Sequence, residues 1–353
     1  MSQINKIIFL IILFISLLLS VCVSIVSGPI DISLNQIFQI FIKNFGLGNY
    51  QVNEQNLHIY ETVLLNIRLP RAILALLVGM SLGISGAMLQ GLFRNPLVDP
   101  GFIGISSGAA LGAMCIIMFA NFFFTNLNKI WLPYLLPIFA MLGSIITTLL
   151  VYKMATSERK TNIMTMLLSG IAVNAFVGSV IGLFVIKSTD LQLRTFTFWT
   201  LGGLDNANWE VVGISSVLIC IPILLTFFLK DKLDILMLGD AEAAYLGLKV
   251  EKLKKTIIIT ASFMVGVSVS FCGMIGFVGL VTPHLVRLCI GPNHKYLLIG
   301  SGLLGSLLLL IADSIARLII APAQIPISIV TSLIGAPFFI YLILEQKRRY
   351  KIA

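Results

Sequence analysis

The stretch RLPRAILALLVGMSLGISGAMLQGLF, residues 68–93, decides how this chain is read. From Ala72 to Phe93 it carries no charged side chain, and roughly 20 apolar residues suffice for a helix to cross a bilayer. Its small residues, among them Gly79, Ser81 and Gly86, let transmembrane helices approach closely. The stretch is therefore a membrane span, placed at Ala72–Leu92. The rest of the chain agrees. It is 353 residues long, 58 % hydrophobic and 11 % charged, with a mean hydropathy of +1.01. A soluble domain carries about 25 % charged residues, so most of this surface faces lipid. The fold class is all-α, a polytopic integral membrane protein.

Working outward, further spans are expected near Ile7–Val26, Phe102–Phe119, Leu132–Val151, Ile163–Ile186, Val211–Leu229, Thr256–Phe271, Met274–Cys289, Leu297–Ala312 and Ile327–Leu344. The count is about ten, forming one transmembrane domain over residues 1–353. An even count puts both termini on one side. With both inside, only Lys43, Arg68, Arg71, Lys129, Lys187, Arg194 and Arg317 of the 24 Lys and Arg residues are outside. That imbalance fits retention of positive charge on the cytoplasmic side. The net charge of +9 is scattered through short loops, which speaks against nucleic acid. The first apolar run exceeds the 7–15 residues or so of a signal-peptide core and is read as an uncleaved span. Cys22, Cys115, Cys220, Cys272 and Cys289 form no CxxC and read as small apolar residues. His58, His284 and His294 show no metal-ligand spacing, so no metal site is expected.

An internal repeat is visible. VGMSLGISGAM (78–88) matches VGVSVSFCGMI (265–275), aligning Gly79, Ser81 and Gly86 with Gly266, Ser268 and Gly273, and Pro96 and Pro283 follow at the same offset. The copies begin five spans apart and so run in opposite directions, an arrangement common in transporters. Residues 32–44 predict an amphipathic helix on the outer surface, with Ile32, Leu34, Ile37, Phe38, Phe41 and Ile42 at helical spacing. Residues 239–247 predict a short cytoplasmic helix. Gly239 and Asp240 start it, Asp240 and Glu242 suit its N-terminal dipole, and Gly247 ends it. Ala241, Ala244, Tyr245 and Leu248 would give one apolar face. It reads equally as a partner surface and as a lipid-surface helix. The loop FRNPLVDPG (93–101) reads as a rigid turn.

No Asp, Glu, Lys or Arg falls within the middle of any expected span, although ion-coupled carriers keep such groups along their pathways. No GxxxxGK[ST] loop is present. The chain reads as a transport pathway without an energy source of its own. His284 and Arg287 read as anchors at an inner helix end.

Five motifs now come into one frame: residues 68–113, LGDAEAAYLGL (238–248), GMIGFVGLVTPHLVRL (273–288), ADSIAR (312–317) and IGAPFFIYLIL (334–344). In this order they resemble the permease subunits of ABC importers for iron–siderophore, haem and vitamin B12. The resemblance implies two permease subunits, identical or paralogous, around a central pathway. It also implies a pair of ATP-binding subunits below and an extracytoplasmic binding protein above. It makes 239–247 the ATPase-coupling helix, with Gly239, Asp240, Glu242, Ala243, Tyr245, Leu246 and Gly247 as its site. It makes Arg68, Arg71 and Arg317 the docking contacts for acidic residues of the binding protein. The fifth expected span, SGIAVNAFVGSVIG (169–182), is read as the pathway wall, with Ser169, Asn174 and Ser179 lining it. No cofactor is expected in this chain, which is not an enzyme; ATP and Mg belong to the partner. The location is a bacterial cytoplasmic membrane. An iron chelate or haem is the expected cargo, with vitamin B12 as the alternative and a secondary transporter or membrane scaffold behind it. One departure stands out. The family's last span usually opens near Glu-Leu-Pro-Val-Gly; here QIPIS places Gln324 and Ser328 where Glu and Gly are usual.

Overall fold

A computed structural model describes residues 3–44, 54–123 and 131–352. Its helices, in chain order, are α1 (Gln3–Val26), α2 (Leu34–Asn44) and α3 (Glu54–Thr62), then a π-helical stretch, Val63–Arg68, that runs into α4 (Leu69–Phe93). A 3-10 turn at Pro100–Ile103 precedes α5 (Ile105–Phe123), followed by α6 (Leu132–Ala155) and a two-residue hairpin, β1 (Thr156–Ser157) with β2 (Lys160–Thr161). Then come α7 (Ile163–Lys187), α8 (Asp190–Leu201), α9 (Trp209–Thr226), α10 (Lys230–Leu236) and α11 (Asp240–Tyr245). The chain ends with α12 (Val250–Cys272), α13 (Val278–Ile290), α14 (His294–Leu318) and α15 (Ile327–Ile352). Lys129, expected outside, falls beyond the described residues, as does the side chain of Phe41.

Each expected span finds a helix, but the helices are unequal. Among the described residues seven are long and apolar enough to cross a membrane, and three shorter apolar ones lie at Ile105–Ala120, Val278–Ile290 and Ile327–Tyr341. The shortest starts later than expected. The predicted span 274–289 shrinks to α13, because Gly273 (φ +69°) ends α12 and Phe277 (φ +68°) holds a left-handed turn. The segment between them, residues 274–276, runs unwound, with Met274 and Ile275 half-buried and Gly276 exposed.

α4 is the axis of the bundle. A Cβ on Gly83 would stand 2.1 Å from the Ser301 carbonyl of α14, and one on Gly86 1.8 Å from the Gly279 carbonyl of α13. Only glycine permits such backbone contact. Lipid supplies no hydrophobic drive to bring helices together, so this packing holds the bundle. α4 and α14 run antiparallel, since Gly79 meets Gly305 while Gly83 meets Ser301.

The two copies of the repeat touch. Ser268 Oγ donates to Ser81 Oγ at 3.0 Å and Ser81 Oγ to the Met264 carbonyl at 2.9 Å. Contact between equivalent positions is what a two-fold relation produces. The surroundings match: Gly79 packs on α14, and its counterpart Gly266 packs on Ser144 of α6. Beyond that the copies diverge. Gly86 lies mid-helix whereas Gly273 ends a helix, and Pro96 is in a loop whereas Pro283 is inside α13.

The expected surface helix is α2. Ile32, Ile37 and Ile40 pack on Leu64 of the π-helical stretch, while Leu34 and Phe38 stay exposed.

Candidate functional site

The two ends of the bundle are chemically different, and each carries a charged network. At the end where α4 begins, Arg71 Nη2 lies 2.8 Å from Asp313 Oδ1 of α14, and Arg71 Nη1 lies 2.9 Å from Asp205 Oδ1. Arg317 Nε is 3.0 Å from Asp313 Oδ2, close enough for an ion pair though not aligned for a hydrogen bond. Asp313 is fully buried, and Arg68, Arg71 and Arg317 are 3 %, 6 % and 5 % exposed.

These arginines were expected on an exposed receptor surface; the structure corrects that premise. α1 has no basic residue in its last turn, so its terminal carbonyls lack partners from their own chain segment. Arg68 supplies them, donating to the carbonyls of Ile25 at 2.9 Å and Val26 at 2.6 Å, and also to Ile30. Arg317 donates to Ser24 and Ser27 carbonyls at 3.2 Å each. Positive charge at the negative end of a helix dipole is favourable.

Asp313 adds a charge inside a span, though towards its end and not in the middle, where none was expected. α14 runs on to Leu318 rather than ending at Ala312, which carries Asp313 inside the helix. Two arginines neutralise it, so it is not a free carboxylate along a pathway.

α7 presents two faces. Met166, Ser169, Gly170, Val173 and Val177 pack inward at helical spacing. Asn174 also turns inward, with Ser107 Oγ donating to its Oδ1 at 2.6 Å and its Nδ2 donating to the Gly101 carbonyl at 3.1 Å. Ser169 and Asn174 therefore leave the open face, contrary to expectation, because they are turned into helix contacts. Ser179 lies on the exposed face together with Ala172, Ala175, Gly178 and Gly182.

At the opposite end α11 is six residues long, flanked by Gly239 (φ +136°) and Gly247 (φ +84°). Of the expected apolar face, Ala241, Ala244 and Tyr245 are turned outward, Tyr245 at 91 % exposed, whereas Leu248 is half-buried against the core; Leu246 is exposed as well. Ala243 is the residue sealed against the bundle. Asp240 does not cap the helix. It binds Arg94 through Oδ1, and its Oδ2 lies 2.5 Å from Lys254 Nζ. Partial burial pushes the Asp240 carboxyl up, but Lys254 and Arg94 outweigh it and hold the group below the usual carboxylate range. Glu242 and Gly247 stay at the solvent-facing edge. Alongside, His294 Nδ1 sits 2.6 Å from Asp234 Oδ1, tying α10 to α14.

The FecCD transport family model matches residues 15–345. The chain belongs to the FecCD transport family. Among curated relatives it is 41 % identical to the hemin transport system permease protein HmuU of Yersinia pestis, over 86 % of this chain and 88 % of that one. It is 37 % identical to the vitamin B12 import system permease protein BtuC of Salmonella typhi, over 82 % and 85 % respectively. Among solved structures, one presented as an inward-facing conformation of a metal-chelate type ABC transporter superposes with a TM-score of 0.79 at 31 % identity, covering 95 % of this chain and 98 % of that one.

In this FecCD protein some site residues escape sequence reading. Asp205 gives no local signal because its partner Arg71 is 134 positions away; Asp313 and Lys254 each have one near partner, Arg317 and Glu251, but the contacts that tie them to α4 and to β2 span 242 and 93 positions. α8 does give one: Thr189 and Gln192 form a reciprocal capping box, which T-x-x-Q announces. The Ser328 departure has a local reason: its hydroxyl donates to the Met274 carbonyl and holds the start of α15 against the unwound segment.

Proposed function

We propose that this chain is the permease subunit of an ABC importer that carries haem or a related iron chelate across the cytoplasmic membrane. The observation that carries the reading is α11, a helix fastened to the bundle through Asp240 and Ala243 yet presenting a bare apolar tip at Tyr245 and Leu246. Exposed apolar patches at a membrane protein's aqueous end call for a partner. The proposed partner is one of a pair of ATP-binding subunits, with ATP and Mg held there and no cofactor in this chain. The α11 end is then cytoplasmic, as are both termini, and the Arg71 end faces an extracytoplasmic binding protein. A second permease subunit, identical or paralogous, would face the exposed side of α7. There Ala175, Ser179 and Gly182 offer a smooth wall from which a bulky ligand can leave.

Haem is preferred to vitamin B12 because the hemin permease relative is the more similar of the two quoted above. The test is uptake in proteoliposomes holding the permease with its partner ATPase and binding protein. ATP-dependent haemin accumulation is expected. Accumulation that persists without the ATPase overturns the reading, and cyanocobalamin uptake in place of haemin overturns the cargo.

An acidic binding protein would reach Arg71 only in competition with Asp205, whose side chain is 63 % exposed. Docking through Arg71 therefore requires the Asp205 bridge to open. Asp205→Asn should tighten docking several-fold at low salt, where charge steering is strongest. Unchanged affinity in a titration of the binding protein would remove Arg71 from the docking surface.

A further inference from the structure

The second charged network, at the α11 end, has no assigned task. Its centre is Lys254, in the second turn of α12 and only 2 % exposed. Three partners surround its ammonium: Asp240 Oδ2 at 2.5 Å, Glu251 Oε1 at 3.1 Å and the Thr161 carbonyl at 3.1 Å. The Thr161 amide in turn donates to Glu251 Oε2 at 2.8 Å. Both backbone polar groups of Thr161 in β2 are thus clamped to the first turns of α12. Asp240 reaches the other way as well, to Arg94, which follows α4 in a left-handed conformation and donates from Nε to the Leu236 carbonyl at 3.0 Å.

The cluster holds two cations and two carboxylates, so it is neutral as a whole, with the exposed Lys160 beside it. Neutrality satisfies the buried lysine but does not explain it. Taking an ammonium out of water costs several kcal/mol, and an apolar residue of similar volume in such a place is often no less stable. What the lysine provides is connection. It joins α11, the hairpin and α12, and through Asp240 it reaches the end of α4. Thr161 is followed at once by Asn162, whose Oδ1 accepts from the Thr165 amide at 3.0 Å and caps α7. The path from α11 to α7 therefore runs α11–Asp240–Lys254–Thr161–Asn162–α7, each step a hydrogen bond, an ion pair or a peptide bond. α11 has room to move along this path. It hangs between two glycines in left-handed backbone, and a cleft of about 650 Å³ lined by Arg94, Asp240, Ala244 and Lys254 separates it from the start of α7.

We infer that Lys254 is a positioning residue that transmits displacement of α11 to α7, the helix carrying the proposed pathway wall. This rests on the permease reading above. Moving α11 toward the bundle drives Asp240 and hence the ammonium, and Thr161 must follow because both its backbone polar groups are held. The same displacement pulls Arg94 and the end of α4. One short helix would thereby act on both copies of the inverted repeat, α4 in one and α12 in the other.

The test uses the complete transporter in proteoliposomes with haemin as the probe. Lys254→Met keeps length and volume and removes the charge. Binding-protein-stimulated ATP hydrolysis should stay within about twofold of normal while haemin transported per ATP falls about tenfold, a ratio within the usual range for coupled sites. Lys254→Arg, which restores the cation, should recover most of the transport. Glu251→Gln, a milder change outside α11 that removes one carboxylate holding Lys254 and Thr161, should split hydrolysis from transport in the same direction and guards against misfolding of the methionine variant. Proportional loss of hydrolysis and transport in both variants, or normal transport in both, overturns the inference. Failure of the permease reading looks different: wild-type protein would then show no ATP-dependent haemin uptake at all.

Discussion

Asp313→Ala should leave little folded protein after extraction into mild detergent. Asp313 is the sole buried carboxylate between Arg71 and Arg317 among the described residues, and its own exposure is nil. Removing one partner of a buried ion pair costs about 3–5 kcal/mol, because the remaining charge stays buried without compensation. Here two guanidinium groups would be stranded. Arg71 retains Asp205, which is largely in solvent, and Arg317 retains only backbone carbonyls and the Ser24 hydroxyl of α1. Native proteins are stable by only about 5–15 kcal/mol, so the loss takes up much of that margin. Thermal unfolding followed by size-exclusion chromatography should show a large fall in midpoint. A triple substitution sharpens the point: Arg71→Met with Asp313→Leu and Arg317→Met replaces the whole set and should recover much of the lost stability, as apolar replacements of buried ion clusters can. If Asp313→Ala melts within about 1 kcal/mol of wild type, the level of an exposed pair, the network is not what joins these helices.

Tyr245→Asp should release the ATP-binding subunit. Tyr245 is nearly bare in the isolated chain and Leu246 is 60 % exposed beside it, while Ala243 holds the helix from behind. A large aromatic side chain at the tip of a short projecting helix is the kind of residue that dominates an interface, where truncation costs about 2 kcal/mol or more. Placing a carboxylate there adds desolvation of a charge to the lost contact. The permease itself should fold normally, since nothing in the bundle leans on this ring. Co-purification with the ATPase measures the effect, and the expected weakening is roughly 30-fold or more by the usual conversion of free energy to affinity. Retention of the ATPase by this variant would remove α11 from the coupling role.

The two substitutions mark where sequence reading succeeds and where it stops. α11 is legible because its signals are local: glycines on either side, acidic residues in the first turn and an interruption in a basic loop. Its orientation is not. Which side meets the bundle depends on Arg94 and Lys254, and Arg94 is distant in the chain, so the grouping of Ala241, Ala244 and Tyr245 on one face could not say that they point outward. Arg68, Arg71 and Arg317 show the same limit more sharply. Their position at a membrane edge is readable from the spans, but their exposure is not, since carbonyls they bind belong to α1. The length of α13 is overestimated because a 16-residue apolar run looks the same whether or not two left-handed residues unwind its start.

The sequence by itself determined that this is a helical membrane protein, where most of its spans run and that two of them repeat in opposite directions. Those properties follow from apolar run length and small-residue spacing, which act along the chain. Only the tertiary structure decided which charges are buried, that Ser81 meets Ser268 and that Thr161 is clamped by Lys254 and Glu251. Those facts depend on residues between 90 and 242 positions apart meeting across helix faces. Partner choice of that kind is set by how the helices pack, and no local pattern encodes it.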